Sequence, residues 1–176
     1  MTAKPEKKTP DQEQFVITRT FAAPIATMFE LWTDPEHLSQ WLPPQGFSMQ
    51  YLRAEVKPGG SCFYAMTGHD GIKMYGRMTF LKIQKPDCLV YMQQFCDEHE
   101  KITRHPMAST WPETMLTNVV FAEEVSGQTR ITLTWEPYGD VKPEEIDTFV
   151  KAKGGMTQGW TGSFDKLDEY LCLMKK

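Results

Sequence analysis

The sequence predicts an α+β fold in which an antiparallel sheet curves around one long C-terminal helix. Six consecutive segments between Phe47 and Tyr138 are strand-like and are separated by short turns, which is typical of an antiparallel meander. A first strand and two short helices precede them, and an apolar stripe with helical spacing follows them. The predicted order is therefore β-α-α-β6-α.

The N-terminal elements are a strand and two helices. Residues 14–21 alternate well enough for a strand, and apolar residues then recur at helical spacing from residue 25 to about residue 33. Asp34 is a typical N-cap, and Pro35 suits the first turn of a second helix. Pro43-Pro44 should end that helix, since proline cannot continue it.

The six strands of the meander are recognised by their turns. Glycine-containing turns are predicted at residues 57–60, 69–71 and 126–128, because glycine adopts the backbone angles that tight turns require. The strands are expected within residues 47–56, 61–68, 72–83, 88–95, 114–125 and 129–138.

The C-terminal segment is predicted to be helical. Pro143 with two following acids is a reasonable helix start, and Gly154-Gly155 is expected to interrupt the helix. Beyond the interruption, one face carries Met156, Trp160, Phe164, Leu167, Leu171 and Met174. Such a stripe is most often a face packed on the core.

Composition limits the classes of function. The net charge of −4 and the pI near 5.6 argue against nucleic acid as a partner, because no basic excess is available for phosphates. No apolar run approaches the roughly 18 residues of a membrane span, and the N-terminus lacks a secretory h-region. The four cysteines form no CxxC pair, which favours reduced thiols in a cytoplasmic protein. Residues 1–12 are expected to be a disordered tail, and residues 13–176 a single domain.

Several motifs occur in a consistent order over residues 14–173. They are Arg19, Ala23-Pro24, Trp32-Thr33-Asp34-Pro35-Glu36, Trp41, Tyr75-Gly76, Leu89-Val90-Tyr91, Asp97-Glu98, Gly127, Thr129-Arg130 and Gly159-Trp160. Together they resemble the activator of heat-shock protein ATPase homologue-like (AHSA-like) family of the START-like (SRPBCC) superfamily.

The resemblance implies a helix-grip fold, as in birch-pollen-allergen-like proteins, with a cavity between the concave sheet and the C-terminal helix. The family's eukaryotic chaperone activators carry a separate N-terminal domain, for which this sequence has no segment. It is therefore similar to the stand-alone bacterial type. Residues 99–112 and 139–155 exceed the family's minimum length and are expected to shape the mouth of the cavity.

The leading interpretation is that this cavity binds a small apolar or aromatic ligand, without a cofactor, in a monomer or homodimer. The candidate lining residues are Trp41, Tyr64, Met66, Tyr75, Tyr91, Met92, Trp111, Trp135, Met156 and Trp160. Arg19 and Arg130 either anchor a carboxylate inside the pocket or, as we expect, pair with acids on the surface.

Two other interpretations stay open. The cavity could be the site of an enzyme of the cyclase, dehydratase or hydrolase kind, with Tyr75, Asp97 and His99 as weak catalytic candidates. The sequence contains no complete catalytic constellation and no metal-ligand spacing, which favours binding over catalysis. The third interpretation is a protein-interaction module that contacts a chaperone.

Overall fold

The computed structural model describes residues 13–175 and has the predicted order of elements, with the C-terminal segment divided into two helices. The elements are β1 (Phe15–Phe21), α1 (Ile25–Thr33), α2 (Pro35–Trp41), β2 (Phe47–Ala54), β3 (Ser61–Gly68), β4 (Lys73–Gln84), β5 (Cys88–Cys96), β6 (Thr114–Glu123), β7 (Thr129–Pro137), α3 (Pro143–Lys151) and α4 (Lys153–Met174). The α+β helix-grip prediction is thus confirmed. The predicted disordered tail lies outside the described residues.

All seven strands form one antiparallel sheet in the order β1-β7-β6-β5-β4-β3-β2. The meander follows the sequence, and β1 then pairs with the last strand, β7. The predicted turns at residues 69–71 and 126–128 are present, with positive φ angles of 80° at Gly71 and 81° at Gly127. Glycine adopts this backbone conformation at little cost, which is why these turns could be recognised locally.

The junction of α1 and α2 also follows from local sequence. The side chain of Asp34 accepts a hydrogen bond from the Glu36 N–H at 2.9 Å and so caps α2. Trp41 is fully buried, and its indole N–H donates to the Leu31 carbonyl at 3.0 Å. Its ring centroid lies 4.7 Å from that of Trp32. These contacts fix the two helices to each other.

The predicted interruption at Gly154-Gly155 is wrong. Both glycines are helical within α4, and the chain breaks instead at Ala152, with φ −86° and ψ −3°. The Ala152 N–H reaches the carbonyls of Thr148 and Phe149, both at 3.1 Å, and this ends α3. A glycine costs about 1 kcal/mol in a helix interior, too little to break a helix that is held by a buried face.

That buried face belongs mainly to the C-terminal half of α4. Phe164, Leu167 and Leu171 are buried there, and the Phe164 ring meets that of Phe21 on β1 edge-to-face at 5.4 Å. The C-terminal half of α4 is therefore anchored to β1. Among the described residues, no helix has both the length and the apolar character needed to cross a membrane.

Candidate functional site

A cavity of about 610 Å³ lies between the inner face of the sheet and the N-terminal half of α4. The sheet contributes large side chains such as Tyr64 on β3, Met78 on β4 and Trp135 on β7. The helix contributes Met156 and Trp160. Every predicted pocket residue except Trp41 and Met92 contributes to this lining.

Trp41 and Met92 lie elsewhere for identifiable reasons. Trp41 is enclosed between α1 and α2, as described above. Met92 pairs with Thr79 on β4 and Leu116 on β6, and these residues occupy the outer face of the sheet. Side chains alternate between faces along a strand, so Met92 points away from its inward neighbour Tyr91. The sequence shows apolar residues at both positions and does not reveal which one faces the helix.

Two further segments contribute to the cavity lining: residues 97–113, called here the mouth loop, and α3. His105 and Trp111 of the loop and Thr148 of α3 are among the lining residues. Arg104 forms an ion pair with the buried Glu145 of α3. The sequence indicated the two segments but not this pairing, because loop geometry decides which charges meet.

His105 is a partly buried residue of the mouth loop that contributes to the cavity lining. Its ring centroid lies 4.8 Å from that of Phe95, and burial lowers its pKa below the usual value. Its Nδ1 accepts the N–H of Met107 at 3.0 Å, which leaves the proton of a neutral ring on Nε2. Sequence reasoning did not single out this residue as part of the lining.

Inside the cavity, the main polar feature is a tyrosine–glutamine pair. The Gln93 side-chain N–H donates to the Tyr64 hydroxyl at 2.7 Å. Burial raises the pKa of Tyr64 to about 12, and burial also raises the pKa of Tyr91. Both phenols are therefore neutral at physiological pH.

The weak catalytic candidates are divided between the cavity lining, which includes Tyr75, and a turn outside it, which holds Asp97 and His99. Asp97 accepts backbone N–H groups of His99 at 2.8 Å and Lys101 at 3.0 Å, and these bonds lower its pKa. His99 is exposed beside this turn. Tyr75 contributes to the cavity lining, but its strand position is on the face opposite Tyr64. Asp97 thus has a turn-forming role that accounts for its position.

A possible cation cluster lies away from the cavity. Among the described residues, ligand atoms of Glu30, Asp34 and His37 lie within 4.8 Å of one another. Asp34 already caps α2, and His37 Nδ1 lies 2.7 Å from the Tyr170 hydroxyl. Local structure accounts for both residues, so the cluster carries no metal assignment.

Comparison with known families agrees with the fold and with the motifs described above. The profile of the family described as "Activator of Hsp90 ATPase homolog 1-like protein" matches residues 22–172. The chain belongs to this family. No curated protein matches the sequence.

Solved bacterial structures share the architecture of this family member. Protein Ms6760 from Mycobacterium smegmatis is 24% identical, with a TM-score of 0.74 over 94% of each chain. A protein from Arthrobacter aurescens is 26% identical, with a TM-score of 0.74 over 92% of this chain and 87% of the other. The AHSA1 protein from Silicibacter pomeroyi is 20% identical, with a TM-score of 0.65 over 92% of this chain and 99% of the other. The first and third comparisons, at these identities, concern the fold alone.

Proposed function

We propose that this AHSA1-like protein binds a small apolar or aromatic molecule between the sheet and α4. The observation that carries the proposal is the cavity of about 610 Å³, which falls within the range of roughly 300–1,000 Å³ typical of small-molecule sites. A ligand there would gain about 25 cal/mol for each Å² of apolar surface removed from water.

The composition of the lining supports the same proposal. Aromatic rings provide rigid walls, and methionines provide a flexible, polarisable surface that adapts to an irregular apolar ligand. The methionines of the lining are Met66, Met74, Met78, Met115 and Met156.

The alternative functions have less support from the geometry. An enzyme that used Asp97 and His99 would need both at the cavity, and both lie in an exposed turn outside its lining. A chaperone-binding module would need a contiguous apolar surface. The exposed large apolar side chains are spread along the chain. Val16 lies on β1, Ile72 precedes β4, Met107 lies in the mouth loop, and Leu173 and Met174 end α4.

The test uses the same substitution on the two faces of the sheet. Met66→Trp places an indole in the cavity, whereas Met92→Trp places one on the outer face. Both methionines are half-buried, so the two variants are matched in residue type and exposure. Binding is measured with the neutral fluorophore N-phenyl-1-naphthylamine, whose emission increases in apolar surroundings.

We expect wild type and Met92→Trp to bind the probe with similar affinity. Met66→Trp should bind it at least tenfold more weakly, because the added ring occupies ligand space. Circular dichroism and thermal melting establish that each variant is folded. Equal affinity in all three proteins would refute the proposal. Native mass spectrometry of the freshly purified protein, compared with its denatured mass, would identify a co-purified ligand.

A further inference from the structure

The tyrosine–glutamine pair of the cavity is held by three adjacent strands. Tyr64 lies on β3 and Gln93 on β5, and β4 runs between them. The Tyr64 ring crosses β4 at its cross-strand partner, Gly76. A Cβ atom at Gly76 would overlap both the ring and the hydroxyl of Tyr64. The glycine therefore makes the crossing possible, and the Tyr64 hydroxyl is fixed against Gln93.

This pair retains hydrogen-bonding capacity toward a ligand. The Tyr64 hydroxyl accepts the bond from Gln93, so its own proton remains for another acceptor. The indole N–H of Trp135, which also contributes to the lining, is buried and has no hydrogen-bond partner among the described residues. Two donors are thus present at the cavity without an assigned protein acceptor.

The lining of the cavity offers no positive charge to an anionic ligand. Within residues 13–175, no lysine or arginine belongs to the lining, whereas the carboxylate-bearing Glu113 does. Arg19 instead pairs with Asp165 at 2.8 Å, and Arg130 pairs with Glu124 at 2.8 Å, as expected of surface residues. A carboxylate ligand would lose its hydration without gaining a counter-charge from the lining.

We propose that the cavity selects a neutral ring compound bearing a carbonyl group, which accepts the hydroxyl proton of Tyr64 beside Gln93. Free fatty acids and other carboxylates are excluded from this class. The inference rests on the proposed function, since it specifies the ligand of the same cavity. It assigns Tyr64 a role in specificity, whereas Gly76 positions the Tyr64 ring.

The experiment compares three probes that share one ring system. They are naphthalene, 2-acetylnaphthalene and 2-naphthoate, which carry no polar group, a ketone and a carboxylate. Affinities are measured by isothermal titration calorimetry on wild type, Tyr64→Phe and Gln93→Met. Tyr138→Phe is the matched control, because Tyr138 is exposed and lies outside the lining.

In wild type we expect the ketone to bind about fivefold more tightly than naphthalene, as one net hydrogen bond of about 1 kcal/mol implies. The carboxylate should bind at least about tenfold more weakly than the ketone. Tyr64→Phe should remove the advantage of the ketone over naphthalene, Gln93→Met should reduce it, and Tyr138→Phe should retain it.

The outcomes separate this inference from the proposed function. If none of the three probes binds wild type, both are overturned. If naphthalene binds but the ketone has no advantage, or if Tyr64→Phe keeps that advantage, only the assignment of the polar pair is overturned. Tighter binding of 2-naphthoate than of the ketone would likewise overturn the neutral-ligand class and leave the cavity as a binding site.

Discussion

Four glycines occur within the N-terminal half of α4, at positions 154, 155, 159 and 162, and all are helical. A Cβ atom at any of them would meet no other group within 4 Å. Alanine is favoured over glycine in a helix interior by about 1 kcal/mol. The double variant Gly155→Ala/Gly159→Ala should therefore be more stable by about 2 kcal/mol. For a protein of this size, that gain corresponds to an increase in Tm of roughly 4–8 °C.

The same two substitutions should weaken ligand binding. Gly155 and Gly159 line the cavity, whereas Gly154 and Gly162 do not belong to its lining. Methyl groups at the first pair extend into ligand space, and methyl groups at the second pair do not. The double variant Gly154→Ala/Gly162→Ala is thus a matched control that should gain the same stability without losing affinity.

Thermal melting gives the stability change, and titration with N-phenyl-1-naphthylamine gives the affinity change. A decrease in Tm for either pair would refute the reasoning that these glycines have open space around them. Increased stability of both pairs with unchanged affinity in the 155/159 variant would show that the ligand does not contact this face of α4. Loss of affinity in both pairs would point to helix rigidity rather than to occupied volume.

Two further predictions concern the mouth loop and its contact with α3. Because burial lowers the pKa of His105, the folded state favours the neutral imidazole, so stability should fall as pH decreases from about 6.5 through the lowered pKa. The unfolding free energy, measured by urea unfolding at several pH values, should depend less on pH in His105→Asn than in wild type. An unchanged pH dependence would contradict this reasoning. Glu145→Gln should cost about 1–3 kcal/mol, because it leaves Arg104 without its buried partner. The exposed neighbour gives the control Glu144→Gln, which should change the unfolding free energy by less than about 0.5 kcal/mol, and equal losses in the two variants would exclude a specific ion-pair effect.

Some features of this protein could be predicted from sequence because they depend on near neighbours along the chain. The strands of the meander follow from alternation and from turn glycines such as Gly71 and Gly127. The cap at Asp34 follows from a side chain that reaches a backbone N–H two residues later. The same local reasoning was wrong at Gly154-Gly155, since contacts outside the segment hold α4 together.

Local sequence does not decide which residues of a strand lie on the inner face of the sheet and which lie on the outer face. Alternation predicts that neighbours such as Tyr91 and Met92 point in opposite directions, but both are apolar. Only the pairing of strands and the position of α4 decide which one meets the cavity.

By itself, the sequence determined the order of the elements, most of their boundaries and the family, because these depend on residue type and spacing. The tertiary structure alone decided the polar interior of the cavity. Tyr64 and Gln93 are 29 residues apart, and they meet because Gly76 on the intervening strand leaves room for a ring. That meeting depends on the register of three strands, and register is a property of the assembled sheet.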